Sequence, residues 1–205
     1  MSLLDRDLVH DALSLLGEVL RARGEPPLHL VVSGGAALLA AGLVTRVTND
    51  VDVIARRGEV DGEVFAAHPL PAQVKEAVAD VARELDLRPN WLNAATGALM
   101  IDLARFPPDF LADTVEKEYG PNFKITYIGR PGQLYLKFYA AVARDEPRDL
   151  ADLRAMRVTP AEALRIGIWM LADEVISVGN KPRLCRIATE LNCHEIVSDI
   201  ERFLP

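Results

Sequence analysis

The sequence predicts an α+β protein, with a small mixed β-sheet, flanking helices and a helical C-terminal part. Three observations carry that expectation. An apolar run over 28–32, between Pro27 and Ser33-Gly34-Gly35, reads as a buried strand that breaks at a glycine turn. Two more strand-like runs follow, at 50–54 and at 122–128. From Gln133 onward, apolar residues recur at helical spacing almost to the end. The expected division is a core over 1–130 and a helical region over 131–205 packed on it.

Bulk properties narrow the class. Half of the 205 residues are hydrophobic and 26% are charged, enough apolar material for a folded core. The net charge of -7 argues against a broad basic face for duplex DNA or an anionic membrane, while leaving room for a local basic site. No apolar run approaches the roughly twenty residues that span a bilayer. The opening Met1-Ser2-Leu3-Leu4-Asp5-Arg6-Asp7 is acidic where a signal peptide needs a basic start. Cys185 and Cys193 are the only cysteines and lack metal-ligand spacing, so a reducing cytoplasm is expected.

The elements follow in order. Leu8, Val9, Ala12, Leu15, Leu16, Val19 and Leu20 make Asp5–Arg23 an amphipathic helix that Gly24 ends. After the strand and glycine turn, Ala36–Ala41 reads as a short helix closed by Gly42. Residues 56–71, rich in Gly, Pro and charge, read as a loop over the site; Ala72–Leu85 is a second amphipathic helix. Asp109–Glu118 is expected to be a short helix, and Asn122–Ile128 another strand. Helices are then expected over 133–143, 148–156, from Pro160 to about Val175, 183–191 and 195–203. The third of these opens on Thr159-Pro160-Ala161-Glu162, with a capping threonine, a proline in the first turn and a glutamate three residues on.

The chemistry concentrates between Leu28 and Ile54. In Asp50-Val51-Asp52-Val53, strand alternation sends both carboxylates to one side and both valines to the core. Adjacent carboxylates repel unless solvent, a cation or a metal offsets them. Ser33, Gly34 and Gly35 let the backbone approach a ligand, and the following helix N-terminus favours phosphate. Paired carboxylates suit magnesium, which shares its coordination with substrate phosphates. Together the two features describe a site for a metal-bound nucleoside triphosphate.

Gly34-Gly35, fourteen residues and then Asp50-Val51-Asp52-Val53 resembles the signature of the DNA polymerase β-like nucleotidyltransferase superfamily. The fuller form, Gly34-Gly35-Ala36-Ala37-Leu38 with Arg46, Thr48, Asp50 and Asp52, is similar to its small bacterial branch of AbiEii-type toxins and DUF6036 proteins. The helices carrying Lys137 and, later, Asp149 and Asp152 resemble that branch's lysine-then-aspartate helices. The resemblance implies a nucleotidyltransferase core with Mg2+ on Asp50 and Asp52. It implies nucleotide contacts from Ser33, Gly34, Gly35, Arg46, Thr48, Lys137 and Asp149, with Lys137 also in a catalytic role. A third carboxylate is expected nearby: either Asp102 fills that place, or Asn93 of Trp91-Leu92-Asn93 does and the proton acceptor is missing.

Lys137 admits two readings, a buried lysine held by phosphate or by Asp149, or a helix-edge lysine with its ammonium in water. Asp149 and Asp152, three residues apart, equally fit a salt-bridged surface with Arg144 or Arg148. Two functions stay open. One is an enzyme that moves a nucleotide from a triphosphate to a hydroxyl, with the 3′ end of a tRNA as acceptor and an antitoxin as partner if the resemblance extends that far. The other is an inactive binding module on the same fold. An ordinary dinucleotide-binding protein falls behind both, because the chain has neither G-x-G-x-x-G spacing at the turn nor a Walker lysine after it.

Overall fold

The computed structural model describes residues 2–58, 63–95 and 106–202. The chain is mixed α+β and divides into two compact units, Met1–Gly129 and Arg130–Pro205. Asp102, the expected third carboxylate, lies outside the described residues.

The first unit is built on a six-stranded mixed sheet. Strand β1 (Leu28–Ser33) runs antiparallel to β2 (Val51–Arg57) and parallel to β6 (Phe123–Tyr127). The far edge of β2 is shared by β4 (Leu92–Asn93), parallel to its first residues, and β3 (Val64–Ala66), antiparallel to its last. Strand β5 (Val115–Glu118) pairs antiparallel with β6 at the other end. Helices α1 (Arg6–Ala22), α2 (Gly34–Ala40) and α3 (Ala72–Glu84) complete the unit. Asp5 caps α1 by accepting the Leu8 N–H at 2.8 Å.

The core of this unit shows why the pattern folds as it does. Leu30 and Val32 of β1, Val51 and Val53 of β2, and Phe123 and Ile125 of β6 all lie within 1% of full burial. They belong to one cluster with Leu13, Leu16 and Leu20 of α1 and Val74, Val78 and Val81 of α3. Each fully buried aliphatic chain contributes about 1.5–3 kcal/mol, which fixes the strand register. Trp91 sits wholly buried just before β4 and donates its indole N–H to the Val78 carbonyl at 3.0 Å.

Two expectations need correction. Residues 56–71 are not loop throughout: β2 continues to Arg57, and Val64–Ala66 forms β3 beside it. The expected helix over Asp109–Glu118 is instead a 3-10 turn at Pro108–Leu111 followed by strand β5. All four β5 residues are exposed, so no apolar alternation marks them. Their strand conformation comes from the ladder with β6, Glu116 opposite Thr126 and Lys117 opposite Ile125.

The second unit is helical. Its elements are α4 (Arg130–Arg144), α5 (Pro147–Ala155), α6 (Pro160–Ala172), α7 (Lys181–Glu190) and α8 (Val197–Arg202). Helix α4 packs on α5, α6 and α7, and α8 on α6 and α7. Tyr135 meets Trp169 edge-on with ring centres 5.0 Å apart. The capping box at Thr159 and Glu162 forms as expected, and Arg130 adds a guanidinium to it, 2.5 Å from Glu162 Oε1. Among the described residues, no helix is long and apolar enough to cross a membrane.

Candidate functional site at the glycine turn and the acidic strand

The β1–β2 ladder sets the site's geometry. Ser33 is in register with Asp52 across β1 and β2, and Asp52 is in register with Asn93 across β2 and β4. In-register partners show their side chains to the same sheet face, so Ser33, Asp52 and Asn93 form one row. The valines on either side of Asp52, Val51 and Val53, are fully buried in the core opposite that row. Asp50 and Asp52 are both half-buried. Asp50 falls one position before β2 rather than inside it, a correction to the expected strand start. Val51, which lies between the two acids, is fully buried.

The glycine turn closes on this row. Gly34 has a φ of 69°, the left-handed region that favours glycine. A Cβ added there would stand 2.7 Å from Asp52 Oδ2, so the carboxylate occupies the space a side chain would need. A Cβ on Gly35 would stand 2.5 Å from Thr48 Oγ1 and 3.5 Å from Arg46 Nη1. Both glycines therefore serve close approach. Gly34 admits a carboxylate, and Gly35 admits the Thr48 side chain.

Thr48 is almost completely buried and donates its hydroxyl to the Asp50 carbonyl at 3.3 Å. Its backbone exchanges two 2.8 Å hydrogen bonds with Leu4. Half-buried Arg46 donates to the Val47 carbonyl at 3.1 Å. Ser33 is 2% exposed and precedes α2 without a side-chain capping bond. Helix α2 has only seven residues, so its dipole is slight and any anion at the turn would rely chiefly on backbone N–H groups and Arg46. Asn93 holds the third place in the row, accepting the Ala95 N–H on Oδ1 at 2.9 Å.

Lys137 and Asp149 belong to the second unit, where they bind each other. Lys137 Nζ lies 2.9 Å from Asp149 Oδ1 and 2.7 Å from Asp152 Oδ2, with all three residues at most 7% exposed. Arg144 adds a second cation to Asp149 at 3.1 Å. The helix-edge reading of Lys137 is overturned, and of the salt-bridged-surface reading of the two aspartates the Arg144 pairing is found while the surface placement is not. A buried ammonium needs carboxylate partners, and the three-residue spacing on α5 supplies two from one face. Asp152 is the second carboxylate on Lys137, and its three-residue spacing from Asp149 was the available signal.

A separate cavity of about 210 Å³ near the start of β1 is lined by His29, Arg57, Lys124 and Glu118 among others. Its cations are paired: Lys124 lies 3.5 Å from Glu118 of the lining, neighbouring Glu116 lies 3.5 Å from Arg57 and 3.8 Å from Lys124, and burial pushes the His29 imidazole down.

Among the described residues, no group of three or more His, Cys, Asp or Glu side chains is arranged for a metal. A half-buried carboxylate pair suits magnesium nonetheless, since that ion commonly takes one or two carboxylates and completes its shell with water and phosphate. Fold and site together define a class: a mixed α+β protein whose glycine turn abuts an acidic strand. No protein-family model matches the chain, and neither does any curated protein or solved structure.

Proposed function

We propose that the chain is a magnesium-dependent nucleotidyltransferase built on a nucleotidyltransferase-type sheet. The observation that carries this reading is Asp52 Oδ2 lying where a Gly34 side chain would stand. That contact brings an acidic strand and a close-approach turn together, which is what a cation-bound triphosphate requires. Asp50 and Asp52 would hold Mg2+. When bound, the ion supplies charge neutralisation at the phosphates.

The chain's own residues then have separable tasks. The Gly34 and Gly35 backbone and the Arg46 guanidinium bind phosphate oxygens. Ser33 and the β1–β2 register orient the turn against Asp52. An acceptor hydroxyl attacks the α-phosphate in line and releases its proton to water, a new O–P bond forms, and pyrophosphate leaves with the electron pair of the broken bond. Positioning and charge stabilisation supply the rate. Lys137 and Asp149 are assigned no step, because their charges already satisfy each other. A reducing cytoplasm suits the two buried free cysteines, Cys185 and Cys193. The acceptor class that fits the resemblance is an RNA 3′ end such as that of tRNA, and an antitoxin would be the corresponding protein partner.

One observation favours a second reading. Asn93, not a carboxylate, stands in register with Asp52, and an amide cannot take the acceptor's proton. A nucleotide-binding module without turnover is the alternative. Incubation with each labelled nucleoside triphosphate, Mg2+ and bulk RNA or lysate separates the two. The enzyme reading predicts a labelled acceptor that Asp52→Ala abolishes. Nucleotide binding without any label is the module's outcome, and labelling that persists in Asp52→Ala would refute the assigned site.

A further inference from the structure

The residue that links both halves of the site is Thr48. It is 4% exposed, so its side chain is already committed within the fold. The hydroxyl is given to the carbonyl of Asp50 at 3.3 Å. The other side of the same side chain faces the turn, where its Oγ1 and Cβ leave room at residue 35 for glycine alone. Its backbone is clamped by the only isolated bridge among the described residues, Leu4 N–H to Thr48 carbonyl and Thr48 N–H to Leu4 carbonyl, both 2.8 Å. Leu4 is itself fully buried and Ser2 donates to the Asp86 carbonyl at 2.8 Å, so the N-terminal segment is tied at both ends of this short strap.

We infer that Thr48 is a positioning residue, which fixes the spacing between the glycine turn and the Asp50 backbone and is itself held by the Leu4 strap. The inference rests on the nucleotide reading above and changes one part of it: Thr48 acts through Asp50 and Gly35 and does not touch the nucleotide. A hydroxyl spent on a backbone carbonyl has no second proton for a phosphate. Losing that bond lets the Asp50 peptide drift, which weakens the metal-ion step first, because hard-cation coordination tolerates little displacement.

The test separates metal from nucleotide affinity. Binding of ATP, GTP, CTP and UTP is measured by equilibrium dialysis across a Mg2+ series, for wild type, Thr48→Val, Gly35→Ala and the Gly35→Ala/Thr48→Ala pair with its single variants. For Thr48→Val the Mg2+ concentration at half-saturation should rise about five- to tenfold, the size of one lost hydrogen bond, with nucleotide affinity at saturating Mg2+ within about twofold of wild type. Gly35→Ala should raise the same quantity, and Thr48→Ala should relieve part of that rise, giving a non-additive cycle. Circular dichroism melts count the folded fraction, since a purely structural role lowers the number of competent molecules and leaves both constants alone. A Thr48→Val protein that loses nucleotide affinity at saturating Mg2+, unchanged constants, or an additive cycle would each overturn the positioning role while sparing the nucleotide reading. Wild-type protein that binds none of the four triphosphates removes the nucleotide reading and the positioning role with it.

Discussion

Asp52 leaves no room for a side chain at Gly34: the Asp52 carboxylate oxygen Oδ2 stands 2.7 Å from where a methyl group on residue 34 would be. Gly34 also holds a φ of 69°. Gly34→Ala therefore combines a left-handed backbone cost of about 1–2 kcal/mol with displacement of a site carboxylate. Urea denaturation should show a loss of at least that size, and Gly42→Ala serves as the control. Gly42 has a similar φ of 67° but nothing within 4 Å of an added Cβ, so only the backbone part should be lost there.

The register of Asp52 with Asn93 gives a prediction of opposite sign. Asn93→Asp places a third carboxylate in the row. If a divalent cation occupies the row, its affinity rises, and competition against a metal indicator should report several-fold tighter Mn2+ binding. The substitution should also lower stability in metal-free buffer, because a third carboxylate adds like-charge repulsion.

In the second unit, Lys137 stands between two buried aspartates. Lys137→Met leaves both carboxylates buried without that cation, a change that costs about 3–5 kcal/mol in comparable buried pairs. Chemical denaturation should show a loss of that order. Adding Asp149→Asn and Asp152→Asn should recover a large part of it, because the penalty arises from the uncompensated charges and not from lost volume.

The Arg130–Glu162 pair sets an acid limit. The Arg130 hydrogen bonds, with smaller help from Thr159, draw the Glu162 carboxyl down from its ordinary 4.5 to about 2. A depressed carboxylate stabilises the fold fully above the unfolded value and progressively less as pH falls through the folded one. Between about pH 4.5 and about pH 2, wild type should lose stability faster than Glu162→Gln. Above that window the difference between the two proteins should be constant with pH. Thermal melts across the range measure it.

How much the sequence disclosed depended on whether a segment's role left a periodic trace. Leu28–Ser33, the glycine break and the Asp52 strand were legible because burial on one side imposes alternation and the turn imposes glycine. The Thr159 box was legible because capping chemistry is local. Val115–Glu118 was not, since every residue is exposed and the strand exists only by pairing with β6. The same holds for Val64–Ala66, which follows a stretch of Gly and charge and is organised by β2. Lys137 was ambiguous because the deciding partners, Asp149 and Asp152, sit on another helix. The role of Thr48 was hidden for a related reason, since Leu4 and Gly35 meet it only in three dimensions.

The central claim is that the glycine turn and the acidic strand together grip a cation-bound nucleotide, and calorimetric titration of the purified chain with each triphosphate, with and without Mg2+, tests it most directly. The account predicts saturable binding of at least one triphosphate that needs Mg2+ and that Asp52→Asn weakens at least tenfold, with the melting curve of the variant unchanged. Binding that is indifferent to Mg2+, or equal in wild type and Asp52→Asn, would contradict it.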